Sequence, residues 1–207
     1  MYTLYYSPGA CSLAIHVLLN ELNLPVTLHD VSIREGKNRS PEFLALNPRG
    51  QVPVLVADKL VMREGAAILL HLLETHPNPL LPTSGNARTE TIEWLMFANA
   101  TLHPACARIF FLMRAATDKK EQESLIGIAF KNVQKLWDEV EARLEHHAYI
   151  AGNTPTVADI LLTVIANWTL PKPLHFGNRT TTLLKAISQR PSYQKALEAE
   201  GVTYKAA

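Results

Sequence analysis

Cysteine is scarce in this sequence. Cys11 and Cys106 are the only two in 207 residues, too few and too far apart for a disulfide framework. An excess of either charge is missing as well: twenty Lys and Arg against nineteen Asp and Glu leave +1. That balance supplies no attraction for nucleic acid or for an anionic membrane surface. No apolar run approaches the roughly 20 residues that span a bilayer, and the longest, from Gly65 to Leu73, is interrupted by His71. The first residues lack the basic segment and apolar core of a secretory signal, so the cytoplasm is the expected compartment. No group of His, Cys, Asp and Glu has metal-ligand spacing, so no metal is expected. Neither a phosphate-cradling glycine loop nor a serine nucleophile elbow occurs, and there is no internal repeat. What is left is an ordinary globular composition, 47% apolar and 19% charged, long enough for one large domain or two small ones.

Against this background the stretch from Tyr2 to Ala14 stands out. Tyr2, Thr3, Leu4, Tyr5 and Tyr6 form an aromatic, β-prone run, suited to a half-buried strand. Ser7-Pro8-Gly9 is a turn signal. From Ser12 onward, Leu13, His16, Val17 and Asn20 recur at helical spacing. Cys11 therefore falls where a strand has ended and a helix begins. Free backbone N–H groups and the positive end of the helix dipole meet there, and both favour a thiolate. A depressed Cys11 pKa is the expectation; the alternative is a small residue filling space beside the turn.

Downstream, residues 26–31 alternate as a strand, 34–41 are a polar loop, and 41–45 open a short helix with Pro41 first. Residues 52–56 read as a buried strand, Asp58-Lys59 as a hairpin turn into 60–62, and 66–75 as a helix. The order β-α-β-α-β-β-α implies an α/β sandwich around a small mixed sheet. Three prolines and a Ser-Gly pair between Pro77 and Gly85 have the composition of a linker. The division expected is 1–77, a linker over 78–85, and 86–207. Beyond the linker every pattern is helical. Residues 88–116 carry a broad apolar face on which His103 sits, and Pro104 predicts a kink there. Residues 119–147 turn Leu125, Ile128, Ala129, Val133, Leu136, Val140 and Leu144 inward. Residues 156–168 open on the capping box Thr156-Val157-Ala158-Asp159 and are apolar nearly all round, hence buried. Two shorter helices, 182–189 and 192–200, are separated by Arg190-Pro191.

Four places can carry chemistry. Cys11 is the first. Val52-Pro53 opens a strand that must be central in so small a sheet. A proline there faces a ligand, turns sharply as in a cis bond, or merely marks strand entry. Glu64-Gly65 sits at a helix N-terminus, where the glycine lets a ligand approach the backbone and the glutamate pairs with an ammonium, caps the helix, or is only an acidic first turn. His103 lies on the inward face beside Pro104, as a satisfied core histidine or as a catalyst.

Together these features resemble a family. Tyr5-Tyr-Ser-Pro-Gly-Ala-Cys-Ser-Leu-Ala, Asn47-Pro-Arg-Gly-Gln-Val-Pro-Val-Leu, Arg63-Glu-Gly-Ala-Ala-Ile and the Thr156 box are similar to a bacterial glutathione S-transferase, with Cys11-Ser12 similar to the beta class. The resemblance runs from the first residue to Gln189-Arg190-Pro191. It implies a thioredoxin-like N-terminal domain, an all-helical C-terminal domain, a homodimer, glutathione as co-substrate, a small apolar electrophile as partner, and a role in detoxification. It assigns Cys11 to the glutathione sulfur, as hydrogen-bond donor or as mixed-disulfide partner. Val52 falls on the cysteinyl backbone, Pro53 on the family's cis-proline, Glu64 and Gly65 on the γ-glutamyl end, His103 on the helical side of the glutathione site, and Lys37 on the glycyl carboxylate. Three positions depart from the family: Pro104 where Lys is common, Met96 seven residues before the histidine where Asn is common, and Ala100 in place of a small polar residue. The helical wall is thereby rebuilt toward apolar. By helical spacing from His103, Cys106 is expected to line the outer site with Ala107, Phe110 and Phe111, or else to be a core residue. Two further readings compete with the transferase: a glutaredoxin-type thiol–disulfide oxidoreductase using Cys11 alone, and a non-catalytic ligand-binding protein on the same scaffold.

Overall fold

The computed structural model describes residues 1–115 and 118–207. Strand β1 (Tyr2–Tyr6) pairs in parallel with β2 (Val26–Asp30), and antiparallel with β3 (Val54–Ala57), which pairs with β4 (Leu60–Met62). The sheet order is β2-β1-β3-β4, so β1 and β3 are central. Asp58, with φ at 52°, makes the tight turn between β3 and β4, a conformation that Asp tolerates better than most residues.

Strand alternation decides what covers each face. Leu4, Tyr6 and Leu55 point into a core shared with α1 (Leu13–Glu21) and α3 (Gly65–Thr75). Val54 points the other way, with Val31, Val52 and Phe43 of α2 (Pro41–Leu46). Helix α1 buries every residue from Leu13 to Leu19, because α3 and the sheet cover one side and the helical half of the chain covers the other.

That half comprises α4 (Gly85–Met96), α5 (His103–Ala115), α6 (Lys119–Arg143), α7 (Val157–Ala166), α8 (Asn178–Ser188) and α9 (Pro191–Glu200). All ten residues of α7 are buried, as its sequence predicts, and it packs against α1, α4 and α8. Helix α3 ends at Thr75 and α4 begins at Gly85. In between, Leu80 and Leu81 are buried, and the Leu80 carbonyl accepts from Val157 N at 3.0 Å. Helix α9 grips α1: Arg190 forks onto Glu21 at 2.6 and 2.8 Å, and Asn20 donates to the Ser192 carbonyl.

Several details differ from expectation. Beside Pro104 the helix changes its turn rather than its run. Residues Phe97–Leu102 instead form widened π-type turns between α4 and α5, just upstream of the proline that cannot donate to the Ala100 carbonyl. The expected end of this helix at residue 116 lies outside the described residues. The span Gly85–Ala115 is long and apolar enough to cross a bilayer by length and composition, a property that single runs do not reveal because charged residues punctuate them. Here its Leu95, Leu102 and Ile109 are buried in the shared core. Helix α6 stops at Arg143, and its inward face is centred on Ile126, Val133, Trp137 and Val140. Leu125 and Ile128 are exposed. Strand β3 begins at Val54, leaving Val52 and Pro53 outside the ladder.

Candidate functional site

A cleft of about 1110 Å³ opens between the sheet's loop ends and the helical half. Its walls bring together Cys11, Val52, Pro53, Glu64, Gly65 and His103, six residues drawn from four separate stretches of sequence.

Cys11 lies in the turn that carries the chain out of β1, one residue before Ser12, which precedes α1 and bonds through its hydroxyl to Ser7 rather than to the helix. Gly9, with φ at 70°, makes that turn, and Ala10 N closes it onto the Ser7 carbonyl at 3.0 Å. The Cys11 thiol donates to the Val52 carbonyl at 3.5 Å. Burial pushes its pKa up to about 11, outweighing the backbone N–H groups of Cys11 and Ser12 that pull it down. The expected thiolate is therefore corrected to a neutral thiol. Loss of water costs the anion more than the helix end returns. Alkylation of Cys11 by iodoacetamide should accordingly accelerate up to about pH 11. A plateau between pH 7 and 8, read by peptide mass spectrometry, would contradict this environment.

The Val52–Pro53 peptide is cis, which turns the chain sharply just ahead of β3. Because Val52 precedes the ladder, its carbonyl is free to meet Cys11. Glu64 flanks α3 without capping it; its carboxylate pairs with Arg49 at 2.8 Å. A Cβ on Gly65 would stand 3.7 Å from both Asn99 Oδ1 and Pro53 Cγ, so the glycine keeps that corner of the cleft open.

His103, Ala107, Phe110 and Arg114 form the cleft face of α5 at the i, i+4, i+7, i+11 spacing of one helical stripe, with Pro104 beside them on the lining. The His103 ring meets Trp168 edge-on at 4.8 Å, and burial lowers its pKa, so the imidazole is neutral at pH 7. Cys106 is turned off the cleft into the core with Leu102, Ala105 and Ile109, fully buried. Burial pushes its thiol up to about 12. The expectation that Cys106 lines the outer site is thus corrected: four residues from His103, not three, reach the cleft again. Phe111 is 62% exposed and points away, so only Phe110 of the expected aromatic pair contributes to the wall.

Lys37 is not part of the cleft lining. Its ammonium lies 2.7 Å from Glu35 and 3.5 Å from Asp30, and Arg34 and Arg39 are the cations that this loop presents to the cleft. Met96 and Ala100 are also off the lining, whereas Asn99, one helical turn before His103, is on it.

Three contributors escape sequence reading. Trp168 Nε1 donates to the Gly9 carbonyl at 3.1 Å. Glu200 accepts from Gly9 N at 3.0 Å and pairs with His16 Nδ1 at 3.0 Å. The turn before Cys11 is thereby held at both its N–H and its C=O by the helical half. Burial raises the Glu200 carboxyl pKa, with His16 and Gly9 N–H opposing. Asn99 is the third. The one available hint was His16 itself, a polar ring inside an otherwise apolar helix that needs a buried partner.

The arrangement can hold an extended thiol-bearing ligand against Val52, with its anionic end at the start of α3 and its sulfur beside Cys11. Comparison with known proteins identifies the family. The family description "Glutathione S-transferase, N-terminal domain" matches residues 9–75, and "Glutathione S-transferase, C-terminal domain" matches residues 100–193. Glutathione S-transferase GST-4.5 of Xanthomonas campestris pv. campestris is 35% identical, over 96% of this chain and 98% of that protein. A glutathione S-transferase structure from Xylella fastidiosa superposes with a TM-score of 0.88 at 29% identity, covering 98% of this chain and 100% of that one. A glutathione transferase homologue from Sulfitobacter, solved with bound glutathione, gives 0.84 at 26% identity, covering 98% and 99%. With both domains matched in order and relatives aligned nearly end to end, this chain belongs to the glutathione S-transferase family.

Proposed function

We propose that the protein is a glutathione transferase whose cleft activates the glutathione sulfur for attack on an apolar electrophile. The observation that carries this reading is the meeting of a neutral Cys11 thiol with the Val52 carbonyl, the Glu64–Gly65 corner and His103 around one cleft. Glutathione has one ammonium, two carboxylates and one thiol. Its γ-glutamyl ammonium goes to the Glu64 carboxylate, in competition with Arg49. Its γ-glutamyl carboxylate goes to the free backbone N–H groups at the start of α3. Its cysteinyl backbone lies along Val52, which places the sulfur at Cys11.

A protonated Cys11 is suited to stabilise that sulfur as an anion. Its S–H swings from the Val52 carbonyl to the glutathione sulfur, and the positive end of α1 adds to the effect. The thiol proton leaves to solvent, the thiolate attacks the electrophilic atom, and the leaving group departs with its electron pair or an enolate takes up a proton. His103, neutral and turned to the cleft, serves as a second donor or as an orienting group. The glutaredoxin-type alternative needs Cys11 as a thiolate, which its environment opposes. A binding protein without turnover is separated from both by a panel of chloronitrobenzene-type, disulfide and peroxide substrates with glutathione. A cytoplasmic homodimer built from a glutathione-binding 1–77 and a helical 86–207 is part of the same proposal.

The direct test is Glu64→Ala. Charge-assisted hydrogen bonds are worth about 1.5–3 kcal/mol, so glutathione affinity by calorimetry should weaken roughly tenfold or more. Unchanged affinity would remove Glu64 from the site and place the ligand elsewhere.

A further inference from the structure

The cleft carries more positive charge than glutathione needs. Arg34, Arg39, Arg63, Arg114 and Lys205 all line it. Among the described residues none of the five is within ion-pair distance of a carboxylate. The cleft's two carboxylates, Glu35 and Glu64, are already matched by Lys37 and Arg49, neither of which lines it. A protein of net charge +1 has therefore gathered a surplus of cations in one concavity, where a field is focused rather than dissipated.

The five divide by position. Arg34, Arg39 and Arg63 belong to the sheet-bearing half, beside the groups assigned to glutathione. Arg114 and Lys205 belong to the helical half. Arg114 closes the cleft stripe of α5, eleven residues and hence about 16 Å of helix beyond His103, and one turn beyond Phe110. Lys205 is fixed in the C-terminal tail: its N–H donates to Asn167 Oδ1 at 2.7 Å, and Asn167 Nδ2 donates to the Thr203 carbonyl at 3.1 Å. That tie seats the tail beside Trp168, whose ring lies 6.0 Å from Phe110. The helical wall is thus apolar at Pro104, Ala107, Phe110 and Trp168, cationic at two points contributed by separate elements, and without a carboxylate. A cation in a helix's last turn is favoured by the helix dipole alone. Lys205 has no such reason to be there.

We infer that the second substrate is an anion: an apolar, electrophilic body seated on Phe110 and Trp168, carrying a carboxylate or similar group toward Arg114 and Lys205. This deepens the transferase reading and rests on it. The group sets specificity and takes no part in bond making. With an aryl vinyl ketone, the glutathione thiolate adds to the terminal alkene carbon. The C=C pair shifts into the bond between the α-carbon and the carbonyl carbon, the C=O pair moves onto oxygen to give an enolate, and a solvent proton completes the product at the α-carbon. No oxidant or reductant is required.

Ethacrynic acid and its methyl ester share one electrophile and differ by one charge, so they isolate the effect. Calorimetry with their preformed glutathione conjugates should show the acid conjugate binding about tenfold more tightly. The kcat/KM ratio of acid to ester should favour the acid and should fall as salt is raised. Exposed ion pairs are individually weak. Arg114→Gln and Lys205→Gln should each lower both ratios about threefold, and the double variant about tenfold by the same scale. Equal binding of the two conjugates by the wild type, or ratios unmoved in the double variant, overturns the inference while leaving the transferase intact. Failure of both conjugates and of glutathione itself to bind overturns the transferase reading, and the inference with it.

Discussion

Replacing Asp159 with alanine should lower stability by about 3–9 kcal/mol, because it strands three buried donors at once, each worth about 1–3 kcal/mol. Asp159 Oδ1 accepts from Ile150 N at 2.9 Å. Oδ2 accepts from Thr156 N at 2.7 Å and from Thr156 Oγ1 at 2.9 Å. The side chain has no exposure, so water cannot replace it. The loss does not stay local. Thr156 begins α7, the helix packed between α1, α4 and α8, and Ile150 anchors the turn that precedes it. Against a typical total of 5–15 kcal/mol the variant should be marginal, with its urea midpoint down by about 1–3 M. Asp159→Asn keeps a carbonyl acceptor but brings an amide N–H toward other donors, and should fall in between. An alanine variant that unfolds within about 0.3 M of the wild type would show that the network holds little of α7 in place.

That capping box was legible because its information is local: Thr and Asp three residues apart, just ahead of an apolar run. The start of α8 was not, and the contrast is physical. Its first turn, placed by sequence at Thr182, begins at Asn178. It is capped by Glu141 of α6, which accepts from Arg179 N, Thr180 N and Thr180 Oγ1. A cap borrowed from another helix leaves no mark in its own stretch. The same distinction runs through the cleft. Cys11, Val52-Pro53 and Glu64-Gly65 stood out because each sits at a junction that a turn residue betrays. Trp168 and Glu200 sit inside or beside helices where nothing local separates them from packing residues, and their partner is a backbone amide at Gly9. Cys106 was misplaced by one residue of helical phase. A triplet spacing and a quadruplet spacing both look like one face until the neighbouring helices choose between them, and here Ala107 took the cleft and Cys106 the core. The Cys11 pKa was misread for another reason. A strand-to-helix junction in sequence announces a dipole, but the depth of burial that opposes it is a property of the assembled fold.

Glu200→Ala should cost about 2–6 kcal/mol, since it leaves two hydrogen-bonding groups unpaired at about 1–3 kcal/mol each, and should also impair turnover. The side chains of His16 and Glu200 are 3% and 0% exposed. Removing the carboxylate leaves the buried His16 ring and the partly buried Gly9 N–H without partners. Gly9 is two residues from Cys11, and the carboxylate fixes one side of its turn while Trp168 fixes the other. Loosening that turn shifts the Cys11 thiol relative to the Val52 carbonyl. Displacements of about 1 Å at a reacting centre cost up to a hundredfold in rate. A loss of kcat/KM by about ten- to a hundredfold with chlorodinitrobenzene and glutathione is the expected result. Stability and positioning can be separated with the double variant His16→Leu, Glu200→Leu. Replacing both partners of a buried hydrogen bond by apolar groups of similar shape can be nearly neutral, so most of the lost stability should return. Gly9 N–H would still lack its acceptor, and the rate should stay low. If the double variant recovers full activity along with stability, the carboxylate serves only to satisfy His16, and the turn before Cys11 is held by Trp168 and its own backbone.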